Sequence, residues 1–361
     1  MGSLKKISDR IKTIQSTRQV TASMKVVAIS RLRKLHETFL RTASYAEEMN
    51  RMIRRLIRSA SARQEALMWQ GSDETIALPT LLKGNGREER YFIVAITSDD
   101  GLSGSSNVQV VQKTGEVVSY LKKQNKEITV LCFGSRGGEL FKRFHPTVRT
   151  IVLRRKVLKG DTPYLDAERL ALDLVAYFNQ DKFDVALCIY NKFKSIVSQR
   201  PTIEQLIPNK LFSAENPWQF LIDTNDLDYI GRDALGQKKI SLRQTAFLKA
   251  IGLDSFSPLG ALDADLLKKA TRLPEAYDYE PSDLGILNKM LPQYIVSYIN
   301  RVLLEAEVGD NAARMMAMDN ATRNAQDMLH QLQKQYRRTR QGKITTDIAE
   351  VTSGAMFNEQ A

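Results

Sequence analysis

The two ends of the chain constrain its fold more than any other feature, because each of them predicts a very long helix. Residues 3–70 contain neither Pro nor Gly, and Ser3 can cap a helix that starts there. A helix over residues 4–60 would be about 85 Å long, which no single globular domain would bury. Its seam positions follow the alternating three-and-four spacing of a heptad repeat: Leu4, Ile7, Ile11, Ile14, Thr21, Ala28, Leu32, Leu35 and Phe39.

The C-terminal end predicts a second helix of the same kind, from about residue 286 to residue 357. Gly309 and Gly342 are its weak points, each costing roughly 1 kcal/mol relative to Ala. Two helices of this length most simply pair antiparallel, and their heptad period predicts a left-handed supercoil. The seam positions of the second helix are Ile295, Ile299, Val302, Ala306, Met318, Ala321, Ala325, Met328 and Leu332.

The middle of the chain predicts a different structure, in which strands alternate with helices. Such alternation is typical of an α/β domain with a mostly parallel, Rossmann-like sheet. The predicted strands are 91–97, 128–133, 148–153 and 183–190, with a further strand or hairpin in 195–207, and the helices are 108–123, 135–144 and 166–180. The fold class is therefore α+α/β, an antiparallel coiled coil of the terminal helices with an α/β domain inserted between them.

Five segments follow from these patterns. They are an N-terminal coiled-coil helix (1–62), a linker (63–89), an α/β domain (90–208), an insertion of unassigned role (209–285) and a C-terminal coiled-coil helix (286–361).

Charge is concentrated in the first of these segments. The chain has a formal net charge of +12. Residues 1–63 contain 15 Lys and Arg against four Asp and Glu, a net charge of +11. A basic helix of this kind can bind the phosphate backbone of nucleic acids, but Phe39 and Tyr45 are its only aromatic residues before residue 64. A solvated helix, or one that faces an acidic protein, is favoured, and a basic coiled-coil protein that binds nucleic acid remains an alternative.

Cysteine usage and hydropathy indicate the cellular setting. Cys132 and Cys188 both lie among apolar residues, so a reducing compartment is expected. No apolar run approaches the ~20 residues that cross a bilayer, and the N-terminus lacks the apolar core of a signal peptide. We therefore expect a soluble intracellular protein.

Catalytic and cofactor motifs are not evident. The Gly-containing turns at 98–107 and 134–138 follow predicted strands, but neither matches a dinucleotide or P-loop motif, and tight strand-to-helix turns are favoured. The three His residues, His36, His145 and His330, are scattered along the chain. We predict no catalytic site, no cofactor and no metal, and a nucleotide-using α/β enzyme is the least favoured alternative.

Specific motifs at both ends resemble a known family. Residues 4–28, 314–325 and 336–355 closely resemble the terminal helices of the gamma subunit of F-type ATP synthases. The loop at 97–107, T-S-D-D-G-L-S-G-S-S-N, is similar to that family's T-S-D-R-G-L-C-G-G-L-N loop, and residues 190–199 and 205–208 are similar too. The resemblance covers roughly 1–63, 90–208 and 286–361.

This resemblance implies the central rotor shaft of a synthase, which couples ion-driven rotation of the membrane c-ring to ATP synthesis or hydrolysis in the alpha/beta ring. The implied partners are the alpha and beta subunits of the catalytic hexamer, an epsilon-type subunit and the c-ring, with one copy of the chain per complex and no nucleic acid. Such a subunit has no active site of its own. It would be peripheral on the inner, cytoplasmic face of a bacterial plasma membrane, or on the matrix face of the mitochondrial inner membrane.

The resemblance also implies three sets of contact residues. Contacts with the catalytic subunits are implied for Met24, Lys25, Arg314, Arg340, Gln341, Thr345 and Asp347. The tip that turns within an apolar collar is implied for Ile344, Ile348, Val351 and Ala355. Contacts of the α/β domain, the foot of the shaft, are implied for Asp100, Gly101, Leu102 and Asn107. Asp100 replaces the family's Arg, and Asp347 stands where the family usually has Glu.

Overall fold

A computed structural model of the chain describes residues 2–69, 78–154, 163–208, 280 and 282–359. Within these ranges it does not describe the side chains of residues 2, 3, 58, 61–69, 163 and 351–359. The predicted insertion at 209–285 therefore lies almost wholly outside the described residues, as does part of the linker.

The elements of the described residues are these: α1 Gly2–Trp69, α2 Thr80–Lys83, β1 Arg90–Ile96, α3 Ser106–Lys123, β2 Glu127–Phe133, α4 Ser135–Phe144, β3 Arg149–Leu153, α5 Pro163–Asn179, β4 Val185–Phe193, β5 Gln199–Ile207 and α6 Asp283–Glu359. They form two compact units. The helical unit comprises residues 1–31 and 314–361, and the sheet unit comprises residues 32–313. Both predicted terminal helices are confirmed, and α6 continues through Pro292.

The helical unit consists of the start of α1 packed against the end of α6. Lys25 pairs with Asp319, the Thr322 hydroxyl donates to Thr21 Oγ1 at 2.9 Å, and Arg18 donates to Gln326. Residue numbers rise along α1 while those of its partners fall along α6, so the pairing is antiparallel as predicted.

The predicted seam needs one correction on α6. Met328 is 44% exposed, whereas its neighbour Leu329 is 4% exposed and takes the seam position. Ala325 and Leu332 are buried as predicted, and so is Thr21 on α1. The seam therefore steps by four residues from Ala325 to Leu329 and then by three to Leu332. A heptad repeat allows the two steps in either order.

The sheet unit contains one five-stranded sheet in the order β3-β2-β1-β4-β5. The first four strands are mutually parallel, and β5 runs antiparallel to β4. In the centre, Ile93 lies beside Val130 on one side and Leu187 on the other. The predicted Rossmann-like sheet is confirmed, and residues 195–207 form the predicted hairpin with β4.

Helices cover both faces of this sheet, which explains why its central strands read as continuous apolar runs. One face packs against α5 and against segments of α1 and α6, and the other packs against α3 and α4. Side chains alternate between the two faces, so Phe92 and Val94 join the first core while Ile93 and Ala95 join the second. The sheet unit therefore has two apolar cores.

The turn between β2 and α4 depends on a glycine. Gly134 has φ 120°, which side chains rarely allow, and a Cβ there would lie 2.3 Å from the backbone oxygen of Thr97. The predicted tight strand-to-helix turn is therefore present, with the backbone of two loops in close contact.

A buried carboxylate lies at the amino end of the parallel strands, where β1 and β4 begin. Asp184 is fully buried and accepts hydrogen bonds from the backbone N–H groups of Glu89 and Arg90 and from the Asn85 side chain. Arg90 Nη2 lies 2.7 Å from Asp184 Oδ1. Burial raises the pKa of Asp184, but the hydrogen bonds from Arg90 and Asn85 outweigh it and hold that pKa well below the ordinary value.

We expect Asp184→Asn to lower the free energy of unfolding at pH 7 by about 3 kcal/mol, because the amide leaves Arg90 and two backbone donors incompletely paired. The lowered pKa means that the carboxylate's contribution is complete above the ordinary value of 3.8 and is lost as the pH falls. The difference between wild type and variant should therefore shrink below that pH, as measured by denaturant unfolding. The exposed Asp173→Asn is the control and should change stability by about 0.5 kcal/mol or less. A constant difference across acid pH would contradict this account.

Candidate functional site

The predicted contact pair Met24 and Lys25 lies in the helical unit with different surroundings for each side chain. Met24 is exposed. The Lys25 ammonium lies 2.7 Å from Asp319 Oδ1, and Arg323 lies 2.8 Å from the other oxygen of the same carboxylate. Lys25 is therefore held by a neighbour on the opposite helix, which the sequence analysis did not foresee. Its side chain remains about one quarter exposed.

The predicted contact residues on α6 divide by exposure. Arg314 is half-buried, whereas four others are exposed. The exposed members are Arg340, Gln341, Thr345 and Asp347. The structure does not bring Arg314 near these four along the helix, since they lie more than 25 positions away.

The predicted apolar tip is exposed wherever its side chains are described. Ile344 is 47% exposed and Ile348 is 60% exposed, and the two lie one helical turn apart on the same face. The side chains of Val351 and Ala355 lie outside the described part of α6. The register that sets Lys25 beside Asp319 reaches the start of α1 near residue 342 of α6.

A groove of about 730 Å³ lies between the two helices of the helical unit, close to the Lys25 pair. Its lining residues are Gln15, Ser16, Arg18, Gln19, Ala22, Thr322, Arg323 and Gln326. They include two guanidinium groups, three amides and two hydroxyls, with no carboxylate. Such a lining favours carboxylate or backbone carbonyl groups of a partner.

Asn107, one of the predicted foot contacts, holds the loop at 98–107 from the inside. It is only 8% exposed, and its amide group faces inward. Its Oδ1 accepts from the backbone N–H of Ser98 at 3.0 Å, and its Nδ2 donates to the hydroxyls of Ser98 and Ser103. Asn107 therefore closes the loop at 98–107 and positions its tip.

The tip of this loop presents the other three predicted foot residues. Asp100 and Leu102 are exposed, and Gly101 is half-buried. Leu102 has φ 67°, a left-handed conformation that is costly for a residue with a side chain. Next to the tip, Asp99 Oδ1 accepts from the backbone N–H of Ser135 at 2.7 Å, at the first residue of α4. The loop thus holds an apolar side chain outward on a fixed base.

The carboxyl end of the parallel sheet, where α/β proteins usually bind nucleotides, contains a cavity of only about 20 Å³. It is lined by residues that include Thr97, Ser106 and Asn191. Ligand pockets typically measure about 300–1,000 Å³, so a nucleotide does not fit this cavity. Within the described residues, no three His, Cys, Asp or Glu side chains are grouped as metal ligands.

A polar cluster between the hairpin and α6 was missed by sequence reasoning. Glu305 is 2% exposed and lies beside Tyr190, whose hydroxyl is also 3.1 Å from Glu204. Tyr298 and Arg301 of α6 also contact Glu204. The cluster's residues come from β4, β5 and α6, and those of α6 are more than 90 residues from their partners on the two strands. No local sequence pattern therefore reveals them.

None of the described helices is long and apolar enough to cross a membrane. This agrees with the hydropathy of the sequence.

Comparisons with known proteins are consistent over nearly the whole chain. The ATP synthase family model matches residues 3–356. The ATP synthase gamma chain of Rhodospirillum rubrum is 32% identical over 98% of this chain and 99% of its own length. The gamma chain of Fuscovulum blasticum is 31% identical with the same coverage.

A solved structure supports the fold. A chain in the cryo-EM structure of the Euglena gracilis mitochondrial ATP synthase, comprising OSCP, F1 and c-ring, is similar with a TM-score of 0.54 at 16% identity. The match covers 100% of this chain and 96% of that one. On the matches of sequence, the chain belongs to the ATP synthase gamma chain family.

Proposed function

We propose that the chain is the central stalk of an ATP synthase and couples rotation of a membrane c-ring to ATP synthesis or hydrolysis in an alpha/beta ring. The observation that carries this proposal is the antiparallel helical unit, in which α1 and α6 are joined by Lys25–Asp319, Thr21–Thr322 and Arg18–Gln326. Torque transfer requires that two helices neither slide nor unwind against each other. Three cross-helix bonds above an apolar seam resist both motions.

We further propose that the chemistry of ATP takes place on other subunits of the complex. The small cavity at the carboxyl end of the sheet supports this division, since that end is the usual nucleotide position of the fold and the cavity there measures only about 20 Å³. Asn107 and Ser98 hydrogen bond to each other there. The α/β domain then serves as a rigid base.

The proposed partners are the alpha and beta subunits of the catalytic hexamer, an epsilon-type subunit and the c-ring, with one copy of this chain per complex. The proposed location is peripheral, on the cytoplasmic face of a bacterial plasma membrane or the matrix face of the mitochondrial inner membrane. The proposed division of labour follows the predicted segments: residues 1–62 and 286–361 form the shaft, and residues 90–208 form the foot. The loop tip at Asp100, Gly101 and Leu102, together with Asn107, is the proposed contact of the foot.

Acidic loops of the catalytic subunits are the proposed partners of the helical unit near Lys25. The groove beside it supplies Arg18 and Arg323 and no carboxylate, which favours an acidic segment. Asp319 fixes the position of the Lys25 ammonium while leaving part of it exposed. Arg314, Arg340, Gln341, Thr345 and Asp347 are proposed to contact catalytic-subunit loops elsewhere along α6.

Charge reversal at Lys25 tests this contact. In the assembled complex, Lys25→Glu should lower ion pumping per ATP hydrolysed about two- to fivefold, as expected for loss of an exposed ion pair. Because Lys25→Glu also places two carboxylates together, the charge swap Lys25→Glu with Asp319→Lys restores the pair within the helical unit. The swap should leave the loss of coupling in place, as measured by proton pumping in vesicles. Full recovery of coupling by the swap would show that Lys25 acts only through Asp319.

The exposed apolar tip of α6 gives a second test. We expect Ile344→Ser with Ile348→Ser to lower the yield of assembled complex and its torque, because a collar would bury side chains worth up to about 1.5–3 kcal/mol each. The unfolding free energy of the isolated chain should barely change, since both side chains are already exposed. Thr346→Ala is the matched control, because the Thr346 hydroxyl donates to the backbone oxygen of Gly342 one turn earlier on the same helix. Unchanged yield and torque in the double variant would contradict the collar.

A further inference from the structure

The carboxyl group of Glu305 is buried between α6 and β4 with few partners. Its Oε1 accepts from the backbone N–H of Phe193 at 3.2 Å, and its Oε2 lies 3.4 Å from the Tyr190 hydroxyl. Glu204 on β5 is richer in partners, since it contacts both the Tyr190 and Tyr298 hydroxyls. Tyr190 is fully buried and stands between the two carboxyl groups.

The Tyr190 hydroxyl has one proton and can donate it to only one of these groups at a time. The shorter contact, 3.1 Å, is the one to Glu204. When Tyr190 donates to Glu204, its oxygen can only accept from Glu305. That contact is a hydrogen bond only if Glu305 itself carries a proton.

The charges of the cluster favour the same arrangement. Arg301 Nη2 lies 3.7 Å from Glu204 Oε2, and Lys192 Nζ lies 4.0 Å from Glu204 Oε1. In the part of the chain that the structure describes, neither of these ion pairs extends to Glu305. An ionised carboxylate that is buried without a paired cation is strongly disfavoured, and protonation removes the charge.

We propose that Glu305 is a proton-binding site, occupied at neutral pH, that joins α6 to the β4–β5 hairpin through the chain Glu305–Tyr190–Glu204. In this series of hydrogen bonds, the Glu305 O–H donates to Tyr190, and the Tyr190 O–H donates to Glu204. The proposal concerns the sheet unit alone and does not depend on the proposed function.

Burial favours a neutral Glu305 and outweighs the cations that face it. Burial raises its pKa above the ordinary 4.5, the charges of Arg301 and Lys192 lower it in part, and Glu204 raises it. Burial also raises the pKa of Tyr190 well above its ordinary value, so Tyr190 keeps its proton. Tyr298, on the same helix as Glu305, donates to Glu204.

A raised pKa has a definite consequence for stability. The contribution of the protonated group is complete below the unfolded pKa, near 4.5, and is lost as the pH rises toward the folded pKa. Over that window, the unfolding constant of the wild type should rise about tenfold per pH unit relative to a variant that cannot ionise. Above the folded pKa, the ratio of the two unfolding constants, wild type over variant, should be constant.

Glu305→Gln in the full-length chain tests the site, because Gln resembles the protonated carboxyl group. We expect the ratio of unfolding constants, wild type over Glu305→Gln, to rise with pH as described. We also expect the infrared band of a protonated carboxyl group at pH 7 in the wild type and its absence in the variant. The exposed Glu127→Gln is the matched control and should keep the band and show a flat ratio.

Tyr190→Phe provides a second variant that keeps the ring and removes the hydroxyl. The infrared band of Glu305 should persist in it at a shifted frequency, because the proton loses its acceptor. The comparison of this band between the wild type and Tyr190→Phe tests the protonation of Glu305 even if Glu305→Gln does not fold. Absence of a protonated carboxyl band in the wild type at pH 7, or a band unaffected by both substitutions, would overturn the proposal.

Discussion

The antiparallel register between α1 and α6 in the helical unit is the constraint on which the account of this chain depends. It is fixed by one partly buried ion pair, Lys25–Asp319, and by one hydrogen bond between hydroxyls, Thr322 to Thr21. A polar pair in a largely apolar seam specifies alignment, because a slip by one turn would separate Lys25 from Asp319 and Thr21 from Thr322. The same register determines which described residues of α6 lie beside each described residue at the start of α1.

In the sheet unit, two apolar cores cover the two faces of the sheet, and two polar clusters lie near opposite ends of its strands. Asp184 ties the starts of β1 and β4 together. Glu305 and Glu204 tie α6 to the hairpin near the other ends of the strands. Apolar contacts alone tolerate sliding, whereas these hydrogen bonds have fixed geometry. A base that transmits torque needs both.

The sequence predicted what depends on local periodicity and missed what depends on distant partners. The terminal helices were predicted because an apolar spacing of three and four residues reports local helical geometry, and the parallel strands because short continuous apolar runs indicate buried strands. Met328 was misplaced by one residue because Leu329 fits the repeat equally well. The inward hydrogen bonds of Asn107 were not predicted, because a loop position does not reveal whether a side chain turns inward. Glu305 and Tyr190 are 115 residues apart, and no local pattern joins them.

Rotation of this chain within its complex tests the central claim most directly. Cys132 and Cys188, the two native cysteines, are 0% and 1% exposed, so a cysteine introduced as Glu139→Cys on the exposed side of α4 would be the reactive one. A bead attached there, on complexes immobilised through the catalytic hexamer, should rotate in one direction when ATP is added and stop when ATP is removed. A bead that stays stationary while the same complexes hydrolyse ATP would contradict the account.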